Sequence, residues 1–325
     1  MFPWIVRFAR VAALCGLINA SGSGAHEVGS ERPAHTPVGV PEEVLVVGEQ
    51  PGPRLWRVSK GSHTVWILGT HVPTPREMVW RSKQVEAVIA TASEVLGPYA
   101  VSLRVKETQP YQARGDKLKR ILPRREYDRW RKLRDKYIGK DAQSETLLPT
   151  AAALLLQARA FERNGLTYTD DVWRTIYKLA NANVVPVRRQ DYEMGPVTPP
   201  KNSSRVSRQN GIKYLIETMD RLESDIAQSR ARANAWAVGD VDALKALVET
   251  DASYAQSLAY SWPFLSQDEV NQLQSDAENK LLSAIERALN RNESTFAALP
   301  VHLLLRRDGV VSRLRASGYL IEAPQ

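Results

Sequence analysis

Two histidines, His71 and His302, are the residues whose type and placement bear most directly on chemistry. Each follows an apolar run expected to be a strand. His71 comes after Val65-Trp66-Ile67-Leu68 through Gly69-Thr70, and His302 comes after Thr295–Leu299 through Pro300-Val301. Neutral imidazole is the commonest metal ligand in proteins. A catalytic metal takes three protein ligands and an open position, so two ring nitrogens fall short unless a carboxylate joins them. The chain has five histidines. His26 and His35 fall at a leader boundary and in a linker, and His63 falls in a hairpin turn. The bland alternative stays open, that His71 and His302 only complete hydrogen bonds at loop ends. No His-Glu-x-x-His helix, Gly-x-Ser-x-Gly elbow, phosphate-binding loop or Gly-x-Gly-x-x-Gly after a strand is present, which removes support for a zincin helix, a serine triad and a nucleotide site.

The elements that must position these residues are legible around the first histidine. Leu55-Trp56-Arg57-Val58 alternates apolar and polar, Lys60–His63 is a turn signal, and Thr64–Leu68 is a β-branched and aromatic run. Together they predict a hairpin whose second strand is interior. Thr74-Pro75-Arg76-Glu77 has the form of a capping box opening a helix, and Val85, Val88, Ile89 and Ala92 give that helix one buried face. Short strands are expected at Val44–Val47, Ser93–Leu96 ending in a turn at Gly97-Pro98, Val184–Val187 and Tyr319–Ile321. Helices are expected over Arg125–Tyr137, Pro149–Arg163, Asp170–Ala182, Ser203–Trp236, Asp240–Val248, Gln267–Leu289 and from Asp308-Gly309 to Gly318. The two ends echo each other: strand, turn residue, histidine, then helix. The fold class that follows is a mixed α/β (α+β) domain over residues 42–325. Its central sheet is formed by the N- and C-terminal strands, with a helix-rich middle section beside it.

Composition sets the compartment and the partners. With 43% apolar and 25% charged residues among 325, the chain is ordinary for a globular protein. Residues 1–25 differ: Arg7 and Arg10 precede the apolar run Val11–Ile18, and small residues follow. That order predicts a secretory signal peptide, with an uncleaved N-terminal anchor as the alternative, and its apolar run is too short to span a membrane comfortably. The expectation is a secreted or periplasmic protein with a flexible linker at residues 26–41 and no transmembrane helix after signal cleavage. Cys15, the only cysteine, leaves with the leader, which excludes disulfides, thiolate metal sites and a cysteine nucleophile. The net charge is +8; loss of Arg7 and Arg10 leaves 42 Lys and Arg against 36 Asp and Glu, or +6. Much of the excess lies in Ser102–Lys140, with 14 basic residues against 5 acidic. With no recognisable nucleic-acid module in the chain, the partners this run suggests are an acidic polysaccharide, an anionic lipid or a peptide. A solvated helical face is the simpler account.

The segments LWRVS…VWILGT, Trp236-Ala237-Val238-Gly239-Asp240…Leu244 and the closing DGVVSRLRASGY resemble the TraB/GumN proteins, a group that includes PrgY and is related to the Tiki proteins. The resemblance runs from about Val44 to Glu322. It implies a metal-dependent hydrolase, a protease in the Tiki branch, built on two Gly-x-x-His motifs and acidic residues. The chain departs from that pattern. Counted from Gly69, the first histidine falls at Val72, so His71 is one place early. Counted back from Asp308-Gly309, the second falls at Leu303, so His302 is again one early, and Pro300 stands where the glycine belongs. The first acid falls near Gly97, with Glu94 the nearest carboxylate, and the second near Gln190. Pro73-Thr74-Pro75 resembles a family variant whose first loop reads Gly-Thr-x-Ser-Pro-Leu-Pro, without the histidine. Two readings follow. One is a catalytically degenerate envelope protein that acts by binding. The other is a peptidase-like hydrolase with a divalent metal on His71 and His302 and Glu94 as the catalytic carboxylate, carried on the Gly69-Thr70 loop.

Overall fold

The computed structural model describes residues 44–105, 116–198, 203–249 and 265–324. The expected leader and linker, and residues 106–115 of the basic run, lie outside the described residues. Val44–Val47 is irregular where a strand was expected. Val44 and Val47 are exposed, and the Val46 N–H donates to Asn234 Oδ1 at 3.0 Å. Strand β1 (Gly48–Gln50) follows. β2 (Trp56–Lys60) and β3 (His63–Thr70) form the hairpin, with Lys60 opposite His63 across a two-residue turn. Val65, Ile67 and Leu68 of β3 are all buried, as an interior strand requires.

The helix expected to open at Thr74 does not start there. Thr74–Pro75 is a short strand, β4, and Met78–Trp80 is β5. Met78 and Trp80 are buried and Val79 is exposed, the period of two that extended chain imposes. β5 pairs in parallel with β1, and the Glu77 carbonyl accepts the Gly48 N–H at 3.0 Å. Strand pairing therefore takes the residues of the apparent capping box. The helix α1 (Lys83–Thr91) begins later, with Ser82 as the N-cap accepting the Val85 N–H. Its Val85 and Ile89 are buried against the sheet as their spacing predicts. β6 (Val95–Val105) runs through Gly97-Pro98 and does not turn there. Gly97 takes φ 122°, and the pairing register shifts between Leu96 and Tyr99, so the strand absorbs the irregularity as a bulge.

Helices α2 (Leu118–Ile121), α3 (Arg124–Tyr137) and α4 (Pro149–Arg163) come next. β7 (Leu166–Thr167) pairs antiparallel with β4. In α5 (Asp171–Ala182) the cap is Asp170, which accepts the Trp173 N–H at 3.1 Å. The strand expected at Val184–Val187 begins only at its last residue, as β8 (Val187–Val197); Val184, with φ 57°, still belongs to the turn. The long helix α6 (Ser203–Val238) ends at Gly239, where φ 79° lets the Asp240 N–H reach back to the Ala235 carbonyl at 2.8 Å. Asp240 then caps α7 (Val241–Glu249) by accepting the Ala243 N–H. A full capping box, Ser266 with Glu269, opens α8 (Gln267–Arg291). β9 (Ser294–Pro300) passes directly into a short helix, α9 (Val301–Leu305), where a loop was expected. α10 (Val310–Ala316) and β10 (Leu320–Glu322) follow.

The main sheet has the order β10-β2-β3-β9-β6-β8, so strands from both ends of the chain share it. β3, β9, β6 and β8 are parallel, and β2 runs antiparallel to both of its neighbours. One face packs Leu68, Phe296 and Ala298 against α1, α5 and the end of α6. The other packs Val65, Ile67 and Leu299 against α8, α9 and α10. The middle helices hold a core of their own, with Trp130, Leu156, Phe161, Leu215 and Leu222. Trp130 is fully buried there. Trp130→Ala is expected to lower unfolding free energy by about 3–5 kcal/mol, as large-to-small core changes do, measured as the shift of a urea unfolding midpoint at constant m.

Candidate functional site at the sheet edge

The two histidines leave the same edge of the sheet. β3 and β9 pair in parallel with Gly69 opposite Leu299 and Thr70 opposite Pro300. His71 is the residue after Thr70. His302 lies in the first turn of α9, two residues beyond Pro300. Neighbouring strands lie about 4.8 Å apart, so the echo between the chain's ends is a spatial neighbourhood. Both histidines are half-buried, and the Nε2 atom of each is buried.

The Gly69-Thr70 loop is held from three sides. The Gly69 carbonyl accepts the Trp236 indole N–H at 2.6 Å in a buried setting. A Cβ at Gly69 would stand 3.0 Å from Val301 Cγ2 and 3.2 Å from Trp56 Cζ3. The residue is small because helix α9 and strand β2 close on it. Thr70 is half-buried beside Pro300. Trp236 in turn sits in a tight region: the Ala237 carbonyl accepts the Gly52 N–H at 3.0 Å. The sequence marks Trp236 only through a resemblance; its hydrogen bond to a loop 167 positions away has no local signature.

Glu94 is not at this edge. It precedes β6, and Val95 is opposite Phe296, which is opposite Trp66. Glu94 is therefore level with Val65, six positions before His71, or about 20 Å along the strand direction. Its carboxylate is fully engaged there. Arg188 Nε donates to Oε2 at 2.5 Å and Asn292 Nδ2 donates to Oε1 at 2.8 Å, with Arg291 Nη2 at 3.8 Å. Asn292 also meets Thr295 Oγ1 at 3.0 Å. This buried carboxylate ties the start of β6 to β8 and to the end of α8. Arg188 and Asn292, its partners, are invisible as such in the sequence because they lie far away along the chain.

None of the four positions counted from the family pattern carries an imidazole or a carboxylate. Val72 is an exposed valine. Leu303 is buried in the core under α9 and α10; one step along the chain from His302 turns the side chain inward. At Gly97 a Cβ would stand 2.6 Å from Trp173 Cη2 and 2.7 Å from the Ala298 carbonyl oxygen, so the space for an acidic side chain is filled by an indole. Trp173 is positioned by the Asp170 cap of α5; burial pushes the Asp170 carboxyl up, and the bond from the Trp173 N–H draws it back down. Gln190 Nε2 donates to the Arg188 carbonyl at 2.9 Å. Among the described residues no group of three or more His, Cys, Asp or Glu side chains stands close enough together to hold a metal ion. The donors at this edge do not fit the metal that the resemblance implies.

A model of the TraB/PrgY/gumN family matches residues 54–323 of the chain. No curated protein matches it, and neither does any solved structure.

Two substitutions test this geometry. Trp236→Phe keeps the buried ring but strands the Gly69 carbonyl, and is expected to cost about 1–3 kcal/mol, the price of an unsatisfied buried acceptor. Gly97→Asp, which would restore an acid near the counted position, is expected to cost at least about 2–3 kcal/mol through overpacking and an unfavourable φ. Urea unfolding of both variants checks this, and an unchanged midpoint for Gly97→Asp would mean that the edge has room for a carboxylate.

Proposed function

The chain belongs to the TraB/PrgY/gumN family, and on that footing we propose that it is a catalytically degenerate member, secreted or periplasmic, that acts by binding. The observation that carries this reading is the closure at Gly97, where Trp173 and the Ala298 carbonyl occupy the space an acid would need. Leu303 in the core and Glu94 locked to Arg188 and Asn292 point the same way. A site without its ligands cannot lower the pKa of a bound water. Export is supported by the leader-like order of residues 1–25. No helix among the described residues is long and apolar enough to cross a membrane. The basic excess of Ser102–Lys140 favours an anionic partner.

One observation favours a second reading, a metal-dependent, peptidase-like hydrolase using His71 and His302. They follow Thr70 and Pro300, which are paired on neighbouring strands. Calorimetric titration of the purified protein with zinc, manganese and cobalt, beside His71→Ala and His302→Ala, separates the two. The binding reading expects no stoichiometric metal uptake that both substitutions abolish. Uptake of one ion per chain, lost in each variant, would overturn it in favour of the hydrolase.

A further inference from the structure

The face of α3 opposite its buried Trp130 and Tyr137 carries a shallow, open depression between the side chains of Arg124, Arg125, Asp128, Arg129 and Lys132. Positions 124, 128 and 132 form one i, i+4 row and 125 and 129 the next, so the five side chains share one helix surface. Their charges are answered unequally. Arg129 donates to Glu126 Oε2 at 2.8 Å and to Asp220 Oδ1 at 2.6 Å. Asp128 lies 3.6 Å from Arg131 on the flank. Arg124, Arg125 and Lys132 are exposed and enter no ion pair among the described residues. Lys119 and Arg120, exposed in α2, add to the basic residues that precede α3 along the chain.

We propose that this depression binds an anionic polysaccharide that carries carboxylates among free hydroxyls. Arg124 and Lys132 are eight residues apart, about 12 Å along the helix, so the unanswered cations call for negative charge repeated along a chain. A guanidinium fork matches a carboxylate in two parallel hydrogen bonds. Asp128 selects further. An ionised carboxylate only accepts hydrogen bonds, so it repels a dense run of phosphates and welcomes hydroxyl donors placed between anionic groups. Among the described residues the exposed large apolar side chains include Val72, Val79, Tyr168 and Val184, and none belongs to residues 117–140. The surface thus lacks the apolar face that seats a helix in a bilayer and the exposed aromatic platform on which nucleic-acid bases stack. The inference rests on the binding reading for its biological sense, but it concerns α3 and not the sheet edge. Failure here and failure of the metal titration are therefore separate results.

The test is titration of the purified protein with polygalacturonate, neutral dextran, phosphatidylglycerol vesicles and single-stranded DNA at about 50 and 200 mM salt, a range over which multi-charge contacts weaken steeply. Two triple variants accompany it: Arg124→Ser, Arg125→Ser, Lys132→Ser on α3, and Lys245→Ser, Arg307→Ser, Arg315→Ser elsewhere with the same charge change. All six residues are exposed, and unchanged circular dichroism and melting establish that both variants fold. The expected result is binding of polygalacturonate and not dextran, weakened at the higher salt. Affinity should fall about tenfold or more in the α3 variant, as loss of several charge contacts would give, and little in the other. No binding of polygalacturonate, equal loss in both variants, or tighter binding of vesicles or DNA would overturn the proposal.

Discussion

Strands β3 and β9 pair in parallel from Thr64 opposite Ser294 to Thr70 opposite Pro300, and most of the remaining structure is a consequence of that ladder. It joins the two ends of the chain, so β2 and β10 extend the sheet on one side and β6 and β8 on the other. It also creates an obligation. The Gly69 carbonyl sits near the end of β3 in a buried setting, where an acceptor without a donor would be costly. The Trp236 indole answers it at 2.6 Å. Because that donor belongs to the end of α6, the bond also fixes where a 36-residue helix from the middle section meets the sheet.

The same ladder explains which parts of the fold are legible in the sequence. The hairpin, the interior character of Val65–Leu68 and the long helices are written in local periodicity and caps. Asp170, Asp240 and the pair Ser266–Glu269 cap the helices they precede. Thr74-Pro75-Arg76-Glu77 carries an equally good local signal and forms no helix, because β1 and β7 offer strand partners on either side. Gly97-Pro98 has the composition of a turn, yet the strand continues, since β8 supplies a pairing edge beyond the bulge. In both cases a partner distant in sequence outweighs the local preference, and no local window contains that partner.

The candidate site divides along the same line. The strand–histidine echo at the two ends was visible, and the ladder turns it into a shared edge. The placement of Glu94 was not visible. Counting residues from the first helix brings a carboxylate near the expected acid position, but the parallel register sets it at the opposite end of the strand. There Arg188 and Asn292 hold it. The filling of Gly97 was equally hidden. Trp173 reads in the sequence as one more apolar residue on an amphipathic helix; only the packing of α5 on the sheet shows that its ring takes the space beside a strand glycine.

The segments that resemble the family are chiefly those that hold the fold together. Trp56 is buried in the core, Gly69 is sized by α9 and β2, and Trp236 satisfies a buried carbonyl. Gly239 and Asp240 end one helix and begin the next. Gly309 lies where a Cβ would be 2.4 Å from the Leu303 carbonyl oxygen, and Leu314 is buried on the sheet. Each is required by packing, whatever chemistry the edge performs. A family match over residues 54–323 can therefore coexist with an edge whose donor set is incomplete, since a scaffold and the site grafted on it answer to different constraints. On this chain the scaffold's requirements are met residue by residue, while the histidines stand one position away from the family count and an indole fills the space of an acid. A cluster of exposed cations that enter no ion pair among the described residues lies elsewhere, on α3.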